Sequence, residues 1–217
     1  MSFEMSELSL VRDLARRVSA IAQSDEYEIR RRRWRDVNGL RKPDRAPVWL
    51  RPAGVWKELL PQESLTCSDP TLRAMEYRLR QDLIKDEIGD DHVVENWWEV
   101  PAVFECDSEF LWGVQTQVLV DSTNLGGWRF KPPLQSVEDF GKVSVPTLTY
   151  NEQKTQEAVQ RAQDVLGDSM PVKLTCGPRL HQTLGAYLDQ LRGMGEMMLD
   201  LYVQPHLIHR LMAKILE

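Results

Sequence analysis

Cysteine is scarce in this chain and a long apolar run is missing, and each lack closes off a class of protein. Cys67, Cys106 and Cys176 are odd in number and widely spaced, which argues against a disulfide framework and for a reducing, cytoplasmic setting. No stretch approaches the roughly 18 consecutive apolar residues of a membrane span. Acidic groups run through the first 25 residues, so neither a membrane anchor nor a secretory signal is expected. A basic excess is also missing. With 27 Lys and Arg against 33 Asp and Glu, the net charge is −6, which disfavours a nucleic-acid partner. The one basic run, Arg30–Arg33 followed by Arg35, lies in a helical pattern beside Asp25, Glu26 and Glu28 and reads as a solvated helix face. A glycine-rich phosphate loop is missing too, because Gly193 and Gly195 fall between helical runs rather than after a strand.

What the chain does contain is an alternation of helical and extended signals. Residues 6–22 place Leu8, Val11, Leu14, Val18 and Ile21 on one face of an amphipathic helix. Ser24 with Asp25 and Glu26 predicts a second helix, ended by Asn38-Gly39. Asp69-Pro70 supplies a cap and a first-turn proline for a helix over 70–88, stopped by Gly89. Between these, Pro47–Arg51 reads as a short buried strand delivering Arg51 into a Pro-Ala-Gly turn.

Further on, a strand is expected within 92–104, followed by a hairpin whose Val114–Val118 strand has one wet face. A helix over 152–166 closes at Gly167, and Pro171–Cys176 forms a second buried strand. Two helices, about 180–202 and from Pro205 onward, finish the chain. Strands followed by loops and helices predict a parallel α/β sheet or the start of a barrel, with 47–51 and 172–176 as parallel neighbours or near-neighbours in one sheet. In such folds ligands bind at the carboxyl ends of strands, where Arg51 and Cys176 would both stand. A guanidinium there predicts an anionic ligand. The competing role for Arg51 is an ion pair with Glu95 or Glu99. Gly54 is read as serving the geometry of the turn. Cys176 is read as a small core residue or a pocket-lining one.

Other candidates read as packing or solvent-facing groups. Trp97, Trp98, Trp112 and Trp128 suit core or hairpin packing, although a large flat ligand would also suit aromatic walls. Met194, Met197 and Met198 read as core. Cys176 and His181 are two scattered ligands and make no metal site. His206 and His209 read as a solvated helix face.

Asp44–Trp49 followed by Leu50–Trp56 resembles the amino-terminal signature of the uroporphyrinogen decarboxylase superfamily, a Pro-Val-Trp strand leading into an Arg-x-Ala-Gly-Arg-aromatic turn. Phe130–Pro133 with Val137–Phe140, the Val172–Pro178 stretch and Leu191–Met212 extend the likeness over nearly the whole chain. The resemblance implies a (β/α)8 TIM-barrel type of fold that is incomplete here. Residues 1–44 would be an N-terminal helical segment, and 45–217 a partial barrel domain of about three βα units with an inserted β-hairpin.

Two branches of chemistry come with the likeness: cofactor-free decarboxylation of a tetrapyrrole, and corrinoid-linked methyl transfer that uses zinc. Val55 stands where the second arginine of the turn would be, and no counterpart of the decarboxylase aspartate is visible near Val94–Trp98. The methyltransferase-like branch is therefore expected, with the catalytic residues unknown. Substrate would be held by Arg51, Gly54 and Cys176. The His-x-Cys zinc motif is also absent. No metal is expected in this segment, and zinc and a corrinoid would belong to the full-length family protein. The partners implied are an anionic tetrapyrrole or a corrinoid-protein methyl donor, and a second copy of the chain covering an open sheet edge. An alternative is a truncated, non-catalytic binding or assembly module of the same fold. The isolated chain is expected to turn over neither substrate.

Overall fold

The computed structural model describes residues 4–52, 54–120, 128–176 and 183–217, with the side chain of Trp128 excepted. Its elements in chain order are α1 (Met5–Ala22), α2 (Asp25–Asn38), a single turn α3 (Trp56–Leu59), α4 (Pro70–Ile88), β1 (Trp98–Pro101), β2 (Phe104–Cys106), β3 (Gln117–Val120), β4 (Trp128–Lys131), β5 (Leu148–Tyr150), α5 (Glu152–Leu166), β6 (Val172–Thr175), α6 (Leu184–Arg192), α7 (Met194–Val203) and α8 (Pro205–Leu216). The expected turns at Gly126-Gly127 and Gly177-Pro178, and His181, lie outside the described residues.

The chain is mixed α/β, and its described strands form three two-stranded sheets, none closed into a barrel. It divides into two compact units, Met1–Pro101 with Gln153–Cys176, and Ala102–Glu152 with Gly177–Glu217.

In the first unit, α1 packs on α4, and Val11, Leu14, Val18, Leu72, Met75, Leu79, Val165 and Leu166 share one buried cluster. Local signals set the helix ends. The Asp69 carboxylate accepts from the Thr71 and Leu72 N–H groups, Pro70 begins the helix, and Gly89 at φ 72° ends it in the left-handed conformation. Ser24 occupies the N-cap position of α2, but its hydroxyl donates back to the Ile21 carbonyl instead of capping. β1 and β6 pair in parallel, Trp98 opposite Val172 through Pro101 opposite Thr175.

Several expectations are corrected here. Pro47–Arg51 is not a strand and has no ladder partner among the described residues. Instead the Val48 N–H donates to Asp91 Oδ2 (2.7 Å) and the Leu50 N–H to Asp90 Oδ2 (2.6 Å), and Val48 O accepts from the Asp91 N–H (2.7 Å). Its side chains are about half exposed, Trp49 at 49%. β6 is also less buried than expected, with Leu174 and Cys176 exposed. The arginine run is not a solvated face. Arg30 and Arg33 are buried, Arg30 paired with Glu26 and Arg33 with Asp44 and Asp91. The Arg33 pairs anchor α2 against the segments that follow it.

In the second unit, β2 pairs antiparallel with β5, a ladder the sequence pattern did not foreshadow, and β3 with β4. The hairpin strand begins at Gln117 rather than Val114, and all four residues of β3 are exposed. The helix expected over 180–202 is broken at Gly193, whose φ of 87° is outside the helical region. Arg192, buried just before the break, donates to Asp200 Oδ2 (2.7 Å) and to the Leu134 and Gln135 carbonyls (2.8 and 2.9 Å). Leu134, Tyr187, Leu191, Ile208 and Leu211 form the core of this unit. Met197 belongs to that core, but Met194 and Met198 are exposed. Trp112 packs edge-on against Tyr187 at 5.3 Å, as a packing residue would. His206 and His209 are exposed on α8.

Candidate functional site

The segment after α2 is built to display its side chains. Asp91 is almost wholly buried and accepts from Arg45 (2.5 Å), from the Val48 N–H and from Arg33, while Arg33 also donates to Asp44 (2.6 and 2.8 Å). Burial opposes the charge on Asp91, but these donors outweigh it and hold the carboxyl below its ordinary range. With the backbone fixed by this carboxylate, Trp49 projects half into solvent.

Trp49 stands between two concave regions. A cleft of about 320 Å³ is lined by Trp34, Trp49, Asp91, His92 and Val93. A neighbouring cleft of about 230 Å³ is lined by Trp49, Leu50, Arg51, Pro52, Trp56 and Lys85. His92 stacks on Trp49 with ring centroids 6.1 Å apart and planes inclined by 22°. The Arg51 guanidinium lies over the same indole, 5.0 Å from its centroid. Burial, assisted by the positive charges of Lys85 and Arg30, lowers His92 to about 4 against the pull of Asp90. The imidazole is therefore neutral at pH 7. Trp34 is oriented by donating its indole N–H to the Asp91 carbonyl at 2.7 Å.

Arg51 is exposed, and among the described residues no carboxylate pairs with it. The competing role for Arg51 is not realised with Glu95, which lies 3.6 Å from Arg31. The Arg51 guanidinium thus lies beside an aromatic surface and the ammonium of Lys85 without a carboxylate partner among the described residues.

The other two candidate residues lie elsewhere. Gly54 has no positive φ, and a Cβ added to it would meet nothing within 4 Å, so the turn does not require glycine at that position. Cys176 is exposed, just after the carboxyl end of β6. Lys85 and His92, which join the Arg51 region, also line a cleft with Trp97, Trp98 and Met170, at the amino ends of β1 and β6. Arg51 and Cys176 are thus not brought together.

Sequence reasoning missed Trp34, Lys85 and His92. The signal that could have found them is Asp90-Asp91-His92 directly after the Gly89 helix stop, two acids and an imidazole on a chain reversal. Among the described residues no group of three or more His, Cys, Asp or Glu side chains could hold a metal ion. No described helix is long and apolar enough to cross a membrane. Compared with models of protein families, with curated proteins and with solved structures, the chain matches none.

Proposed function

We propose that this chain is a uroporphyrinogen decarboxylase-superfamily protein of (β/α)8 type, nearer the corrinoid-linked methyltransferase branch than the decarboxylases. In this reading the Trp49–Arg51 surface holds an anionic tetrapyrrole or corrin. The observation that carries the reading is the exposed Arg51 guanidinium against the Trp49 indole, without a carboxylate partner among the described residues and beside Lys85. A planar ring would lie on the indole, and its acid group would take two parallel hydrogen bonds from the arginine fork. The parallel pairing of β1 with β6, entered through α5, suits βα architecture. Val55 in place of a second arginine favours the methyltransferase-like branch over decarboxylation. Zinc and a corrinoid would then be supplied outside the residues described here, and the 217-residue chain is expected to bind without turnover.

Calorimetric titration with uroporphyrin tests the reading. Arg51→Ala should weaken binding by about 1.5–3 kcal/mol, the range for a hydrogen bond to a charged group. Equal affinity in the variant, or no binding by either protein, would overturn it.

A second reading, a non-catalytic assembly module, is favoured by one observation. The outer face of α7 leaves Met194, Met198, Leu199, Tyr202 and Val203 more than half exposed. Sedimentation velocity over a concentration series distinguishes it, since a monomer at all concentrations would exclude self-assembly through that face.

A further inference from the structure

A further cleft, of about 300 Å³, is lined by Lys85 and His92 but not by Arg51. One wall is α4, which contributes Arg78, Asp82 and Lys85, and the other is the approach to β1, which contributes Glu95, Trp97 and Trp98. Leu79, Val94 and Met170 supply apolar lining. The volume is at the small end for ligand pockets.

The hydrogen-bonding capacity of its charged groups is largely unspent. The Arg78 guanidinium lies over the Trp98 indole at 4.6 Å and among the described residues makes no hydrogen bond or ion pair. Lys85 has only a long contact of 3.5 Å to Asp82. On the opposite wall, Glu95 Oε2 is buried without a hydrogen-bond partner. Its nearest cation, Arg31 Nη2 at 3.6 Å, already donates to the Ala22 and Val94 carbonyls (2.8 and 3.1 Å). A buried carboxylate oxygen that accepts no hydrogen bond is costly, and a donor brought to the carboxylate offsets that cost. The Glu95 side chain as a whole is 39% exposed. Burial also raises Asp82.

We infer that this cleft binds a small zwitterion of the α-amino-acid class, its carboxylate on Arg78 and Lys85, its ammonium on Glu95, and an apolar side chain against Trp97 and Trp98. A purely anionic ligand would bring Glu95 no hydrogen-bond donor, and a purely cationic one would face Arg78 and Lys85. An amino acid satisfies both walls at once. The cleft shares Lys85 and His92 with the surface around Trp49, but neither Arg78 nor Glu95 lines that surface, so variants at those two residues report on this site alone.

The test is isothermal calorimetry on the 217-residue chain with three probes: L-leucine, isopentylamine and 4-methylpentanoate. L-Leucine should bind with a dissociation constant of about 1 mM or tighter, and each single-charge probe about tenfold or more weakly. Glu95→Gln and Arg78→Met should each weaken L-leucine binding by about tenfold. Arg78 is exposed on α4, so its variant is expected to fold, which far-UV circular dichroism checks. Arg78→Met should leave uroporphyrin binding at Trp49 unchanged, which separates failure of this site from failure of the other. Absence of L-leucine binding, equal binding of the amine or the acid alone, or full affinity in Arg78→Met would overturn the inference.

Discussion

Two irregular segments of the first unit are held by the same device and put to opposite uses. Residues 66–69 are clamped by Glu76, which accepts from the Thr66 and Cys67 N–H groups at 2.8–3.0 Å, and by Glu7, which accepts from Ser68 and Asp69. Residues 48–50 are clamped by Asp91 and Asp90 in the same manner. In both, buried or nearly buried carboxylates do for an irregular backbone what a neighbouring strand would otherwise do. The first clamp turns its chain inward, with Leu65 and Cys67 buried and burial pushing the Cys67 thiol up to about 12. The second turns its chain outward and leaves Trp49 and Arg51 facing solvent. Carboxylate clamping alone therefore does not decide whether a loop is core or site; the side chains between the clamped amides do.

The largest expected effect separates the clamps by what else depends on them. Asp91→Ala leaves buried Arg33 without its inner partner and frees Arg45 and Val48 together. It should cost about 3–5 kcal/mol, the range for breaking a buried pair from one side. Chemical denaturation with a two-state fit measures it, and a loss under 1 kcal/mol would show that the network behaves as a surface pair.

Glu76→Gln should cost less, about 1.5–3 kcal/mol, because the amide keeps one acceptor for Thr66 and Cys67 but loses the charge facing Arg80.

The two clamps should also part company with pH. Glu7 and Glu76 are lowered from 4.5 in the fold. For Glu7 the cause is donation from Ser68, and for Glu76 donation from Cys67, Thr66 and Arg80 overcomes burial. Their stability is fully present above pH 4.5 and is lost as pH falls through the lower folded values. His92 is lowered from 6.5 to about 4 by burial, so its contribution is fully present above pH 6.5 and is lost as pH falls toward 4. Asp82, raised by burial, opposes the carboxylates within the acid range. Trp49 emission should thus change between pH 6.5 and 4, before the global far-UV transition. Coincident transitions would show that the outer segment does not loosen on its own.

The smallest expected effect is that of Arg51→Ala on stability, within about 0.5 kcal/mol, because the residue is exposed and its contact is one indole face. A larger loss in a thermal melt would make Arg51 part of the clamp instead of part of the surface it displays.

The helix α4 was legible because its boundaries are local. Asp69, Pro70 and Gly89 each act on backbone groups within a few residues. The segment Pro47–Arg51 reads as a strand in sequence because an apolar stretch ended by turn residues looks alike in a strand and in a loop tethered by side chains. Its partners, Asp90 and Asp91, lie some 40 residues downstream. The arginine run was misread for a related reason: helical periodicity distributes Arg30–Arg33 around α2, but burial of Arg30 and Arg33 depends on where Asp44, Asp86 and Asp91 arrive. Arg51 is legible as a candidate, but the Trp49 indole beneath it is not, because the aromatic walls the sequence suggests are Trp97, Trp98, Trp112 and Trp128.

By itself the sequence determined most of the helices, the cap and stop of α4, and the strand content near 98–101 and 172–175, because hydrophobic period and capping chemistry act over a single turn or a few residues. Only the tertiary structure decided which strands pair, that Pro47–Arg51 stays outside the sheet, and that Trp49, Arg51, Lys85 and His92 meet on one surface. Those outcomes depend on charged groups distant in the chain finding one another, and a buried carboxylate will take whichever donors the packed helices bring within reach.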